Sequence, residues 1–171
     1  MSQDLPYSEP VRVHQIGTGI ARTLEPDAAA RARIVKALEL ASLDSFTAEV
    51  AVDPSPVGWR VTGRLKASLA QTCGITLEPL PAEFDEPFAV SFAEPQPEEQ
   101  FDDEIVVSLE DESPDLIEDG QIDLGQVVVE QLSLLLDPFP RKPGAEFVQP
   151  PEPAEISPFA VLKAMKSTGE G

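Results

Sequence analysis

The sequence predicts a single α+β domain, and three observations predict it. Three stretches between residues 46 and 93 alternate apolar and polar side chains with the period of a strand, joined by links too short for crossover helices. Two other stretches, 24–41 and the one that opens at Asp123, space their apolar residues as helices do. No repeat of fixed period runs through the chain, which excludes solenoid architectures. The expected architecture is an antiparallel β meander or partly open barrel with two main helices. Residues 7–137 form the body, with acidic loops at 93–104 and 110–120, and 138–171 form a Pro-rich tail with a short terminal helix.

Residues 11–16, VRVHQI, set Val11, Val13 and Gln15 against Arg12, His14 and Ile16, the alternation of a short strand near an edge. Gly17 and Gly19 break it. IGTGIAR resembles a phosphate-cradling loop, but the third glycine is missing and a long gap precedes the next helix, so it reads as a turn. In the first helix, 24–41, Pro26 suits the first turn and Asp27 sits at the positive end of the dipole. Ala30, Ile34, Leu38 and Ala41 fall on one face.

The three alternating stretches are 46–52, 59–70 and 82–93. Phe46, Ala48, Val50 and Val52 share one side of the first; Val61, Gly63, Leu65, Ala67 and Leu69 share one side of the second. The link DPSPVG turns the chain between them. In the third, Phe84, Glu86 and Phe88 share a parity before the pattern crosses at Ala89 to Phe92, which permits a bulge or bend. AEPQPEEQFDDE and DESPDLIEDG then read as acidic loops on either side of a short strand at 105–109, IVVSL.

Asp123 is the N-cap of the second helix, with Gln126 three residues on in a relaxed capping box. Leu124, Val127, Val128, Leu132, Leu135 and Leu136 supply a wide apolar stripe, Gly125 weakens the first turn, and Pro138 stops the helix. DPFPRKPGAEF holds too many prolines to be regular. EISPFAVLKAMK has the spacing for an amphipathic turn or two, with Phe159, Leu162 and Met165 on one side to dock on a partner.

At 171 residues the chain can bury about two-thirds of the surface its unfolded form exposes. One cysteine excludes an internal disulfide framework and a closed cysteine-rich zinc site within the chain, and suits the reducing cytosol. MSQDLPYSEP has neither a basic n-region nor an apolar h-region, and no run approaches the ~18 to 20 apolar residues of a membrane span. The expectation is a soluble, cytoplasmic protein with no membrane partner.

The net charge of −19 is unevenly spread. Residues 1–66 balance eight Lys or Arg against eight acids, and residues 141–171 balance four against four. Residues 67–140 carry 19 acids and no Lys or Arg. Affinity for nucleic acid rests largely on cations that displace counterions from phosphates, so this region repels RNA and attracts a basic protein. Solubility is the ordinary use of such an excess.

A catalytic site does not emerge. Within twenty residues on either side Cys73 has only Arg60, Arg64 and Lys66 before it and acids after it, which raise a thiol pKa, and the only histidine, His14, is far away in sequence. Carboxylates are so abundant that no acid-base pair stands out, and neither EEQFDDE nor EDES has the spacing and central glycine of an EF-hand loop. No catalytic residue, metal site, cofactor or small-molecule substrate is expected. Two surfaces remain. Glu98, Glu99, Asp102, Asp103, Glu104, Glu110, Asp111 and Glu112 form the candidate surface for a protein partner. Arg31, Arg33, Lys36, Arg60, Arg64 and Lys66 form the alternative, an RNA-binding patch, provided the first helix packs beside the second strand.

QTCGITLEPL followed by FAVSF, then IDLGQVVVEQLSLLLDPFPRKPGA and the terminal SPFAVLKAMK, resemble in order and spacing the YceD family of large ribosomal RNA subunit accumulation proteins. Many members carry C-x-x-C just before the LEP segment and further cysteines towards the C-terminus, a metal-binding arrangement. Here Cys73 stands at the first cysteine position, Thr76 at the second, and the C-terminal portion has none, so metal binding is not carried over. The resemblance implies a non-catalytic role in 23S rRNA accumulation and assembly of the large ribosomal subunit. Its partners would be a basic ribosomal protein or rRNA-processing factor, or rRNA itself.

Overall fold

Each of the three alternating stretches grows by several residues once its neighbours are in place. The computed structural model describes residues 5–95 and 114–149. In chain order they form β1 (Pro10–Arg12), a 3₁₀ turn (Val13–Gln15), β2 (Ile20–Leu24), α1 (Ala28–Ala37), β3 (Ser42–Ser55), β4 (Gly58–Thr72) and β5 (Pro79–Ala93). β6 (Asp115–Leu116), β7 (Gln121–Asp123) and α2 (Leu124–Leu135) follow. The main sheet has the order β2-β3-β4-β5-β6, antiparallel except for the parallel β5/β6 pair; β1 and β7 make a separate two-stranded ribbon. The meander is therefore open, with two helices, in an α+β domain.

Register follows from burial. Phe46, Ala48, Val50 and Val52 on β3 stand opposite Ala67, Leu65, Gly63 and Val61 on β4, so one face of both strands is apolar throughout. Phe84, Phe88, Val90 and Phe92 continue that face on β5, with Glu86 at the parity position between them. Ile34 from α1 and Leu124, Val128 and Leu132 from α2 close over it. Each such fully buried Val or Leu contributes roughly 1.5–3 kcal/mol. Gly63 is the close point of the sheet: a Cβ there would lie 2.5 Å from the Glu49 carbonyl oxygen and 2.6 Å from Phe88 Cζ, so the Phe88 ring occupies the space a side chain would need.

Several sequence expectations need correction. β1 ends at Arg12, because Val11, Val13 and Ile16 all reach the core and strict alternation would send Ile16 outward. The 3₁₀ turn resets the parity, and the Val13 N–H donates to the Gly120 carbonyl at 3.0 Å. Residues 20–24, read within a turn and the start of a helix, form the edge strand β2 instead; Arg22 at an inward parity position hid the pattern. α1 is shorter than 24–41. Asp27 is its N-cap, accepting from the Ala30 N–H at 2.7 Å, and Pro26 lies outside it. Glu39 (φ 53°) ends the helix in the left-handed region, with the Leu40 N–H bonded to the Val35 carbonyl at 3.0 Å.

The β4/β5 ladder runs without a break from Trp59↔Phe92 to Thr72↔Pro79, so the bulge expected in the third stretch is not there; Ala89 is a small residue on the outer face. The irregularity lies in β3, between Leu43 and Ser45. Residues 114–120 are not simply a loop. β6 pairs with the end of β5, Ile117 is buried, and Asp119 and Gly120 (φ 52° and 67°) make the two-residue turn that closes Glu118 onto Gln121. Ala93 ends β5 rather than opening a loop, and residues 96–104 and 110–113 of the acidic loops, the strand at 105–109 and the terminal amphipathic segment lie outside the described residues.

α2 begins as the sequence predicts: the Asp123 carboxylate accepts from the Gln126 N–H at 3.1 Å. The same carboxylate accepts from the Glu9 N–H at 2.8 Å and from the Ser8 hydroxyl, so the cap also fastens the N-terminal strand. The Gln126 side chain donates to Glu130 rather than back to the cap, so the box is half formed. Gly125 costs helix propensity but admits this contact, since a Cβ there would sit 2.8–2.9 Å from the Ser8 and Glu9 backbone.

Candidate functional site

The six cations singled out in the sequence occupy two different surfaces. Arg60, Arg64 and Lys66 alternate with the buried Val61, Leu65 and Ala67 on β4, so they project from the outer face of the sheet. Arg60 stands opposite Asp53 and Arg64 opposite Glu49 on β3, while Lys66 stands opposite Asp85 on β5. Arg64 forms an ion pair with Asp85, which holds that carboxyl below its usual range, and donates again to the Asp85 carbonyl at 3.3 Å. Arg31, Arg33 and Lys36 sit on α1, whose Ala30 and Ile34 enter the core from the inner side. Arg31 donates to the Pro26 carbonyl at 3.2 Å and Arg33 to the Pro6 carbonyl at 3.0 Å.

Glu98, Glu99, Asp102, Asp103, Glu104, Glu110, Asp111 and Glu112 lie outside the described residues. Within them, the cation-free region still builds one concave feature. A groove of about 970 Å³ runs between the N-terminal segment, β6, β7 and α2. Asp115, Glu118, Asp119, Asp123 and Glu130 line it, with no Lys or Arg among its lining residues. Phe92, Leu116, Ile122 and Val127 supply the apolar part, and Leu116 is 65% exposed. Among the described residues the ion pairs are Arg64–Asp85 and Lys142–Glu78, so no groove carboxylate is neutralised by one. The sequence marks these acids as part of the acidic region 78–137 but not as one surface, because they are spread over a strand, a turn and a helix. The Asp-Gly turn at 119–120 was the available signal.

Cys73 follows the last residue of β4, leads into the turn at 74–76 and is fully buried. The N–H groups of Thr76 and Lys142 both donate to its Sγ, at 3.4 and 3.3 Å. The Thr76 hydroxyl foremost, then the main-chain N–H groups of Thr76, Lys142 and Ile75, push the thiol down to about 6 against the opposing effect of burial. The sequence expectation of a raised thiol is therefore reversed: donors in contact outweigh distant acids. The contacts come from a C-terminal segment that returns to the hairpin. The Gly74 N–H donates to the Pro140 carbonyl at 2.9 Å, and Lys142 Nζ meets Glu78 at 2.9 Å. One sulfur, one hydroxyl and two main-chain N–H groups do not form a tetrahedral zinc site, and among the described residues no group of three His, Cys, Asp or Glu side chains is arranged for a metal.

A family model described as "Large ribosomal RNA subunit accumulation protein YceD" matches residues 61–166, more than half of the chain. The chain belongs to the YceD family. The matched span opens in the first half of β4, takes in Cys73 and the groove acids of β6, β7 and α2, and runs on past the segment that covers the cysteine. The YceD description names accumulation of a ribosomal RNA subunit and no reaction. Comparison with curated proteins and with solved structures returned no match. Among the described residues no helix is long and apolar enough to cross a membrane.

Proposed function

We propose that this YceD-family chain supports accumulation of 23S rRNA and assembly of the large ribosomal subunit as a non-catalytic factor. Its acidic region, 78–137, holds a basic ribosomal protein or rRNA-processing factor while the RNA is made. The observation that carries this reading is the run of 19 acids without a Lys or Arg from residue 67 to 140. A partner rich in Lys and Arg meets complementary charge from the acids of this stretch other than Glu78 and Asp85, which pair with Lys142 and Arg64, and such attraction speeds encounter and screens strongly with salt. Capture of large-subunit proteins by the immobilised chain, followed through a salt series, tests it. Retention should collapse as salt rises; retention indifferent to salt counts against the reading.

Direct binding of rRNA is the second reading, supported by the common outward face of Arg60, Arg64 and Lys66 on the central strand. Arg31, Arg33 and Lys36 on α1 belong to a separate surface and would have to contact RNA on their own. The carboxylates of Glu49, Asp53 and Asp85 beside the strand cations weaken it, because they repel the phosphates those cations would contact. A gel shift with precursor rRNA that survives reversal of Arg60 and Lys66 to Glu, and separately of Arg31, Arg33 and Lys36, would remove it.

A further inference from the structure

We infer that the groove between β6, β7 and α2 is a docking site for an extended polypeptide segment in which Lys or Arg alternates with apolar residues. This rests on the reading of the protein as a holder of basic partners, and gives that reading a site. Charge supplies the first argument. Asp115, Glu118, Asp119 and the exposed Glu130 line the groove with no cation among the lining residues, so a basic segment is complementary to it.

Shape and polarity supply the second. A groove of about 970 Å³ is far larger than a single metal ion needs, and its lining includes the half-buried Phe92 and the exposed Leu116, apolar groups that bare cations or polyamines do not use. Leu116 is on an edge strand and 65% exposed, where an apolar side chain of a partner can cover it. RNA is excluded from this surface by the sign of the charge. Asp123 is not free to serve, because it is fully engaged in capping α2 and holding Ser8 and Glu9.

The test uses the full chain and two labelled peptides of equal charge, one a Lys-Leu alternation and one a Lys-Gly alternation, titrated by fluorescence anisotropy. The Lys-Leu peptide should bind more tightly. The double reversal Glu118→Lys with Glu130→Lys should weaken it by roughly tenfold or more, while Glu83→Lys on the outer sheet face leaves it unchanged. Leu116→Ser, which removes no charge, should narrow the gap between the two peptides. Equal binding of both peptides by the native chain would overturn the site as mere diffuse attraction, as would a Glu118/Glu130 reversal no weaker than the Glu83 control. Cross-links from the groove to the chain's own Lys163 or Lys166 would also overturn it, by showing a different occupant. Any of these results can coexist with salt-sensitive capture of ribosomal proteins, so the site can fail without the broader reading failing. Thermal melts of each variant establish that it is folded.

Discussion

The main-chain N–H of Lys142 donates to the Sγ of Cys73 at 3.3 Å, across 69 positions of sequence. The irregular, Pro-rich segment after α2 is thus fastened to the β4–β5 hairpin at the one cysteine in the chain. Gln71 reinforces the junction through the Asp137 backbone, accepting from its N–H at 3.3 Å and donating to its carbonyl at 2.9 Å.

This contact makes stability depend on pH. The folded thiol titrates at about 6 against an ordinary 9.0, so between those values the unfolded chain holds a proton that the folded chain has released. The contribution of Cys73 is complete above pH 9 and is lost as pH falls through 6. Under reducing conditions the difference in urea midpoint between the native chain and Cys73→Ser should widen steadily from pH 6 to pH 9. A constant difference would show that the donors do not stabilise the thiolate.

Asp123 joins two elements, so its loss should cost more than a simple cap. Asp123→Ala removes acceptors for Gln126, Glu9 and Ser8, and is expected to destabilise the fold by about 1–3 kcal/mol in denaturant titrations. Asp123→Asn, which keeps a capping oxygen, should recover part of the loss.

Gly125 illustrates a helix position chosen by tertiary contact. Alanine would raise helix propensity by about 0.8–1.0 kcal/mol in isolation. Here its Cβ would lie 2.8–2.9 Å from the Ser8 and Glu9 backbone, so Gly125→Ala should lower the melting temperature rather than raise it.

Glu39 presents the opposite case. It sits at φ 53° at the end of α1, in a region that costs a residue with a Cβ roughly 1–2 kcal/mol. Glu39→Gly should stabilise the protein by about 0.5–1 kcal/mol, net of the extra freedom glycine has when unfolded. Equilibrium denaturation of the variant reads the sign directly.

The strands and the second helix were legible because their signals are local and redundant. Phe46, Ala48, Val50 and Val52 alternate without exception, and Asp123 caps a long apolar stripe. β2 was not legible, since Arg22 occupies an inward parity position and only the pairing with β3 reveals the strand. Residues 115–120 read as acidic loop, and β6 and β7 leave no local signal, because strands of two and three residues carry too few side chains to show a period. The acidic character of the candidate site was visible in the charge run, whereas its location was not: Asp115, Glu118, Asp119 and Glu130 converge only when β6 joins β5 and α2 folds back under β1.

The sequence by itself determined the fold class, the three-strand meander, both helices and the concentration of negative charge, since each follows from the chemistry of neighbours along the chain. Tertiary structure alone decided that the cations of α1 and β4 lie on different surfaces, that five acids share one groove, and that the N–H groups of Thr76 and Lys142 converge on the Cys73 sulfur. Those outcomes depend on contacts between residues tens of positions apart. Nothing in a local pattern encodes which main-chain N–H will arrive at a given sulfur or which rim a carboxylate will face.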